Sequence, residues 1–135
     1  SAEGKTMFHT DSRGPWIDRY DFDASTGDIS ARKRIRVLDE QTGRPDGGAC
    51  DIEGHYWSAG VSAGVLNRFD RDGALLESVA VPVPSPTMPC FCGPDLTLIA
   101  VTSHSLGSSD SPQSGGVHLA KSHVAGAKIA RMKGV

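Results

Sequence analysis

The chain has 135 residues and a mass of 14.2 kDa, with 14 Lys and Arg against 16 Asp and Glu, a formal charge of −2 and an isoelectric point near 6.2. That length suits one domain with a modest core. The near-neutral balance argues against a nucleic-acid binder, and no apolar run approaches the ~20 residues of a membrane helix.

The first ten residues hold Glu3, Lys5 and His9 where a secretory leader would be apolar, so no leader is expected. A start at Ser1 is what a fragment or processed chain would show. The first strand-like runs are Lys5–Asp11, Trp16–Phe22 and Ile29–Leu38. In the last of these, Ile29, Ile35 and Val37 alternate with Arg32, Arg34 and Arg36, which predicts a strand with a charged solvent face. Next come Gly48–Ile52, His55–Val61, Val65–Phe69 and Leu76–Val83. The last group is Met88–Cys92, Leu96–Ser103, Gly116–Ala120 and Ala127–Met132.

Glycines and prolines are spread between these runs, 16 and 8 of them, which is the punctuation of an all-β fold. Residues 20–29, 68–76 and, more faintly, 117–129 share a strand–turn–strand grammar. The unit of about 40–50 residues is the period of a four-stranded propeller blade. The chain then divides into a blade lacking its inner strand (1–43) and two complete blades (44–86 and 87–135). Closed propellers have about four to eight blades, and three would leave open sheet edges and uncovered faces, so a missing half is expected.

Three cysteines, Cys50, Cys90 and Cys92, are too few for a zinc site and odd in number for a disulfide framework. They read as reduced, mostly buried thiols of a cytoplasmic protein. The five histidines fall at no metal-ligand spacing. There is no serine-hydrolase elbow, and Gly4-Lys5-Thr6 lacks a phosphate-binding glycine loop. Residues 103–114, rich in Ser, Gly and Asp, read as a loop able to cover a channel mouth.

Several stretches, taken in order, resemble the SMP-30/gluconolactonase/regucalcin-like family. They are Glu3–Asp11, Ile17–Ser30, Arg44–Gly47 followed by Asp51–Trp57, Arg68–Gly73, Val81–Thr87, Cys90–Gly93, Val101–Ser103 and Gly115-Gly116. The resemblance covers nearly the whole chain and implies the C-terminal half of a six-bladed β-propeller, all-β, as roughly three four-stranded antiparallel blades. It also implies a divalent-metal-dependent hydrolase of sugar lactones. The ion would be calcium, zinc, magnesium or manganese, and the small sugar lactone would need neither nucleic acid nor membrane. The family's metal is held by a Glu near the N-terminus, an Asn in mid-chain and the Asp of a Pro-Asp-Gly motif. Only the third has a counterpart, Asp46. The Asn belongs to an inner strand just before Ser1, and Glu3 occupies a turn instead.

In that role Asp46 is both metal ligand and candidate general base, with the ion polarising the lactone carbonyl. Pro-Asp-Gly is also a common β-turn tripeptide, and the residues alone leave both readings open. Asp11 and Ser103 are further channel candidates, although polar residues at strand ends often just close turns. Asp51 reads as the support of the Glu53-Gly54 turn. Gly48 stands where the family has Leu or Met, which removes a packing side chain beside Asp46. The alternatives are a non-catalytic calcium-binding or scaffold propeller module, or an inactive half that pairs with its missing N-terminal half or with a second copy.

Overall fold

A computed structural model describes residues 1–105 and 111–129. These residues contain ten strands and no helix. The strands are β1 (Thr6–Asp11), β2 (Trp16–Phe22), β3 (Ile29–Val37), β4 (Pro45–Cys50), β5 (Tyr56–Gly60), β6 (Val65–Phe69), β7 (Leu75–Ala80), β8 (Pro86–Cys92), β9 (Leu98–Ser103) and β10 (Val117–Lys121). They form three antiparallel sheets in simple up-and-down order, β1-β2-β3, β4-β5-β6-β7 and β8-β9-β10.

Period-2 alternation explains how the sheets stack. On the central sheet, every residue of β5 is buried because both of its faces are covered. Tyr56 and Phe69 point one way, into a core with Ile17 and Leu38, against which Phe8, Ile35 and Cys50 pack. Trp57, Ala59 and Leu66 point the other way and meet Phe91, Ile99, Val101 and Val124. Two thin inter-sheet cores therefore replace one central core. The first interface is also pinned at the turn between β6 and β7. There Gly73 has φ of +91°, and a Cβ on it would run into the Ile35 carbonyl, so only glycine lets the blades approach this closely. Asp72 on the same turn pairs with Arg19 at 3.1 Å and Lys33 at 3.3 Å.

The charged strand Ile29–Val37 is exposed along most of its length, as its pattern predicts. Its arginines do more than face water. Arg32 and Arg34 each donate through Nε at 2.7 Å to Asp18, whose side chain is fully buried. The Arg34 guanidinium lies 4.0 Å from the Trp16 ring centroid, a cation–π contact that helps cover the pair. The Arg34 hydrogen bond, followed by that of Arg32, holds the Asp18 carboxyl below the usual carboxylate range against the cost of burial.

Three expectations need correcting. Cys90 is exposed, and Cys50 and Cys92 are half-buried, so the thiols are free but not mostly buried; Cys50 packs at the edge of the first core. Pro45-Asp46-Gly47 is not a turn but the start of β4. The pairs Pro45↔Gly60 and Gly48↔Ser58 leave one extra residue on β4, which makes Asp46 and Gly47 a β-bulge. The strand expected over 127–132 is absent from its described part, 127–129. That segment instead crosses the end of the second interface, where Gly126 bridges Asp51 and the Ala127 amide donates to the Cys50 carbonyl. Residues 130–132 and the middle of the 103–114 loop lie outside the described residues.

Candidate functional site

Bulges re-aim side chains, and this one sits at a shared level of the fold. β8 repeats the irregularity between Pro86 and Pro89. The start of β4 packs against it: a Cβ on Gly47 would stand 2.5 Å from Met88 Sδ and 2.8 Å from the Thr87 carbonyl oxygen. Pro45, Pro86 and Pro89 are fully buried and anchor both bulged strands. β1 finishes at the same end, where Thr10 Oγ1 donates to the Asp46 carbonyl at 3.2 Å. The Asp46 main chain is thus held from β1 and β8, while its side chain is exposed. Among the described residues, nothing hydrogen-bonds to or ion-pairs with its carboxylate.

Asp11 and Ser103 lie at this end too, next to Thr10 and opposite Pro86 respectively. Each has a local partner. Asp11 Oδ1 accepts from the Gly14 amide at 2.6 Å and the Arg13 amide at 2.8 Å, and the Gly14 bond above all lowers its pKa. Ser103 Oγ donates to the Gly116 carbonyl at 3.2 Å, closing the approach to β10. Both close turns. Asp51 is at the far end of β4, buried, and accepts from the Glu53 and His55 amides, Trp57 Nε1 and Arg68 Nε at 2.8–3.0 Å. Its whole hydrogen-bonding capacity is spent on the turn and the blade.

One residue that the sequence does not single out completes the surroundings of Asp46. Tyr56 is buried and stacks on Phe8, with centroids 4.9 Å apart. Its phenol occupies the space that a side chain on residue 48 would take, since a Cβ there would overlap the Tyr56 hydroxyl. Burial pushes the phenol up to about 12. The Thr10 side chain pulls the other way, while Cys50 and Asp46 push with burial. The group is therefore a neutral hydroxyl at any physiological pH. The one sequence signal for it was Gly48 itself, a small residue where a packing side chain was expected.

Below this level a cleft of about 530 Å³ opens between β1, β4 and β8, walled by Met7, Phe8, Gly48, Tyr56, Met88 and Cys90 among others. Asp46 stands outside its lining, at the end where β4 begins. A hard divalent ion takes oxygen ligands, and an exposed carboxylate on a bulge, unpaired among the described residues, fits as one of them. No three His, Cys, Asp or Glu side chains among the described residues converge to make a complete site.

Comparison with known proteins adds the wider setting. The model of the SMP-30/Gluconolactonase/LRE-like region matches residues 1–105. Regucalcin of Xenopus laevis is 35% identical over 124 residues, covering 87% of this chain and 42% of that protein. Pentonolactonase XacC of Haloferax volcanii is 38% identical over 102 residues, covering 76% and 35%. Among solved structures, regucalcin of Agrobacterium tumefaciens str. C58, described as a calcium-binding protein, superposes with a TM-score of 0.81 at 28% identity, covering 94% of this chain and 44% of that one. The chain spans less than half the length of each of these relatives.

Proposed function

Because the chain belongs to the SMP-30/gluconolactonase/LRE-like family, and its three sheets correspond to about half of a six-bladed propeller, we propose that it forms part of a metal-dependent hydrolase of sugar lactones. In this proposal Asp46 is the chain's contribution to the metal site and the candidate general base. The observation that carries it is the Asp46 carboxylate, exposed and unpaired among the described residues on a bulge whose main chain is fixed from two sides.

A bound divalent ion would supply the charge that polarises the lactone carbonyl and stabilises its developing oxyanion. Asp46 would be one of its oxygen ligands. The same carboxylate can take a proton from the attacking water as the water oxygen bonds to the carbonyl carbon. The ring C–O bond then breaks, and the proton passes to the departing alkoxide, regenerating the carboxylate. Pro45 and the Thr10 bond fix the main chain from which the base projects.

The remaining ion ligands and three further blades come from polypeptide beyond these residues, supplied by an upstream half or by a second copy. Among the described residues β1 pairs only with β2, which leaves its other edge open to another strand. The description of the Agrobacterium relative as calcium-binding favours a second reading, an ion-binding propeller that performs no hydrolysis. Titrating calcium, zinc, magnesium and manganese into protein expressed from its full reading frame, then assaying aldonolactone hydrolysis, separates the two. Hydrolysis that depends on the ion supports the enzyme, binding without hydrolysis supports the second reading, and neither would end both.

A further inference from the structure

Strand register also decides what faces the gap between the second and third blades. Trp57 pairs with Arg68 and Arg68 with Glu77 across β5, β6 and β7, and Leu66 pairs with Val79. Glu77 and Val79 therefore share the face that carries Trp57 and Leu66. From the other side, Ile99 pairs with Ala120, which turns Ala120 toward them. The blades pack through Trp57, Leu66 and Ile99, which are buried, but Val79 and Ala120 are exposed, so the sheets part toward their outer strands. The wedge left between β7 and β10 is a mostly apolar crevice of about 340 Å³, with Glu77 and His123 as polar members of its lining. None of its lining residues lines the cleft between β1, β4 and β8.

Charge at the polar members is unbalanced. Three carboxylates share one guanidinium: Arg68 bonds to Asp51 at 2.8 Å and Glu53 at 2.7 Å, and stands 3.9 Å from Glu77 Oε1, beyond hydrogen-bond reach. His123 Nε2 is 3.4 Å from that oxygen without hydrogen-bond geometry, and its side chain is largely exposed. Glu77 Oε1 is thus a buried acceptor that has no donor among the described residues, which costs free energy until one arrives. The other basic residues of the lining do not offset it. His118 Nε2 lies 3.2 Å from the Gln113 carbonyl, and Lys121, paired with Leu98, belongs to the opposite face of its sheet. An anion would meet a carboxylate here, whereas a cation with an apolar body meets its complement. We propose that the crevice between β7 and β10 binds a small primary alkylammonium, its tail against Trp57, Leu66 and Ile99 and its charged head on Glu77 Oε1. The site lies within two blades of this chain and does not depend on the assignment of Asp46.

The test titrates hexylammonium at about pH 7, where an alkylamine is protonated as a lysine is, into isotope-labelled protein from its full reading frame. Saturable magnetic-resonance shifts are expected at the Trp57 indole N–H and at the Val79 and Ala120 amides, with about millimolar affinity for so small a ligand. Glu77→Gln should weaken binding about tenfold or more, the worth of a charge-assisted hydrogen bond. Hexanol, which has the same tail and no charge, should bind the parent about tenfold more weakly than hexylammonium. That comparison uses the parent protein and so stands whether or not Glu77→Gln folds. Ala120→Leu, at an exposed position, should fill the crevice and lower the affinity for both probes. Asp46→Asn should leave the affinity for hexylammonium unchanged. Shifts that do not saturate, hexanol binding as tightly as hexylammonium, or equal affinity in the parent and Glu77→Gln would each overturn the proposal. So would binding that persists undiminished in Ala120→Leu or falls in Asp46→Asn.

Discussion

Replacing Gly48 by alanine sets two effects of known size against each other. Gly48 lies in a strand without positive φ, so alanine restricts the unfolded chain and would by itself stabilise by about 0.4–1 kcal/mol. The added Cβ, however, would overlap the Tyr56 hydroxyl and its Cζ and stand 2.5 Å from Cε2. These are ring atoms, held by Phe8 on one side and the Ile17–Leu38–Phe69 core on the other, so no flexible tip can swing aside. Overpacking of this kind costs about 1–3 kcal/mol. The second effect wins, for a net loss of about 1–2 kcal/mol. At the usual unfolding entropy per residue this lowers the melting temperature by roughly 3–7 °C. Scanning calorimetry reads the shift, and near-UV circular dichroism reads the displaced tyrosine. In a Tyr56→Leu background the same substitution should cost about 1–2 kcal/mol less, because the obstructing ring is gone. A Gly48→Ala protein that melts at or above the parent temperature would refute the shared-space account.

The remaining predictions concern the blades. Asp51→Ala strips the acceptor from Trp57 Nε1, two backbone amides and the buried Arg68, and should cost about 3–5 kcal/mol in urea denaturation. A loss under 1 kcal/mol would contradict the network. Asp18 gives a pH signature. Arg34 and then Arg32 lower its folded-state pKa, so its contribution is fully present above the ordinary carboxylate value of about 3.9 and fades as pH falls through the lowered value. The stability difference between the parent and Asp18→Asn should therefore be constant near neutrality and shrink in acid. A difference that grows on acidification would reverse the sign and refute the pairing.

Blade grammar was legible because it is local. Alternating apolar residues and turn glycines fix strands such as Trp16–Phe22 and Val65–Phe69 to within a residue. The stacking of sheets was less so, since it depends on which face of β5 meets which neighbour. Asp46 became a candidate only through the family resemblance, and its structural setting was not legible at all. Pro-Asp-Gly has the composition of a turn, and only pairing with Gly60 and Ser58 turns it into a bulge. Asp18 was hidden among surface-like arginines because ion pairing across β2 and β3 leaves no mark in composition. Tyr56 escaped because its setting depends on the absence of a side chain at Gly48, which brings ring and backbone together in a way composition does not show. The expected strand over 127–132 failed at its start for a related reason: Gly126 packs against Phe91, where a Cβ would collide, and the chain is drawn across the interface instead of along β10.

The Asp46 carboxylate carries the proposed hydrolysis, and aldonolactone hydrolysis by the full-reading-frame protein and its Asp46→Asn variant, at saturating divalent ion, tests that role most directly. Loss of a general base predicts a fall in kcat/KM of about 100-fold or more, with the melting temperature unmoved because the side chain is exposed and supports no neighbour among the described residues. Equal turnover by the two proteins would contradict it.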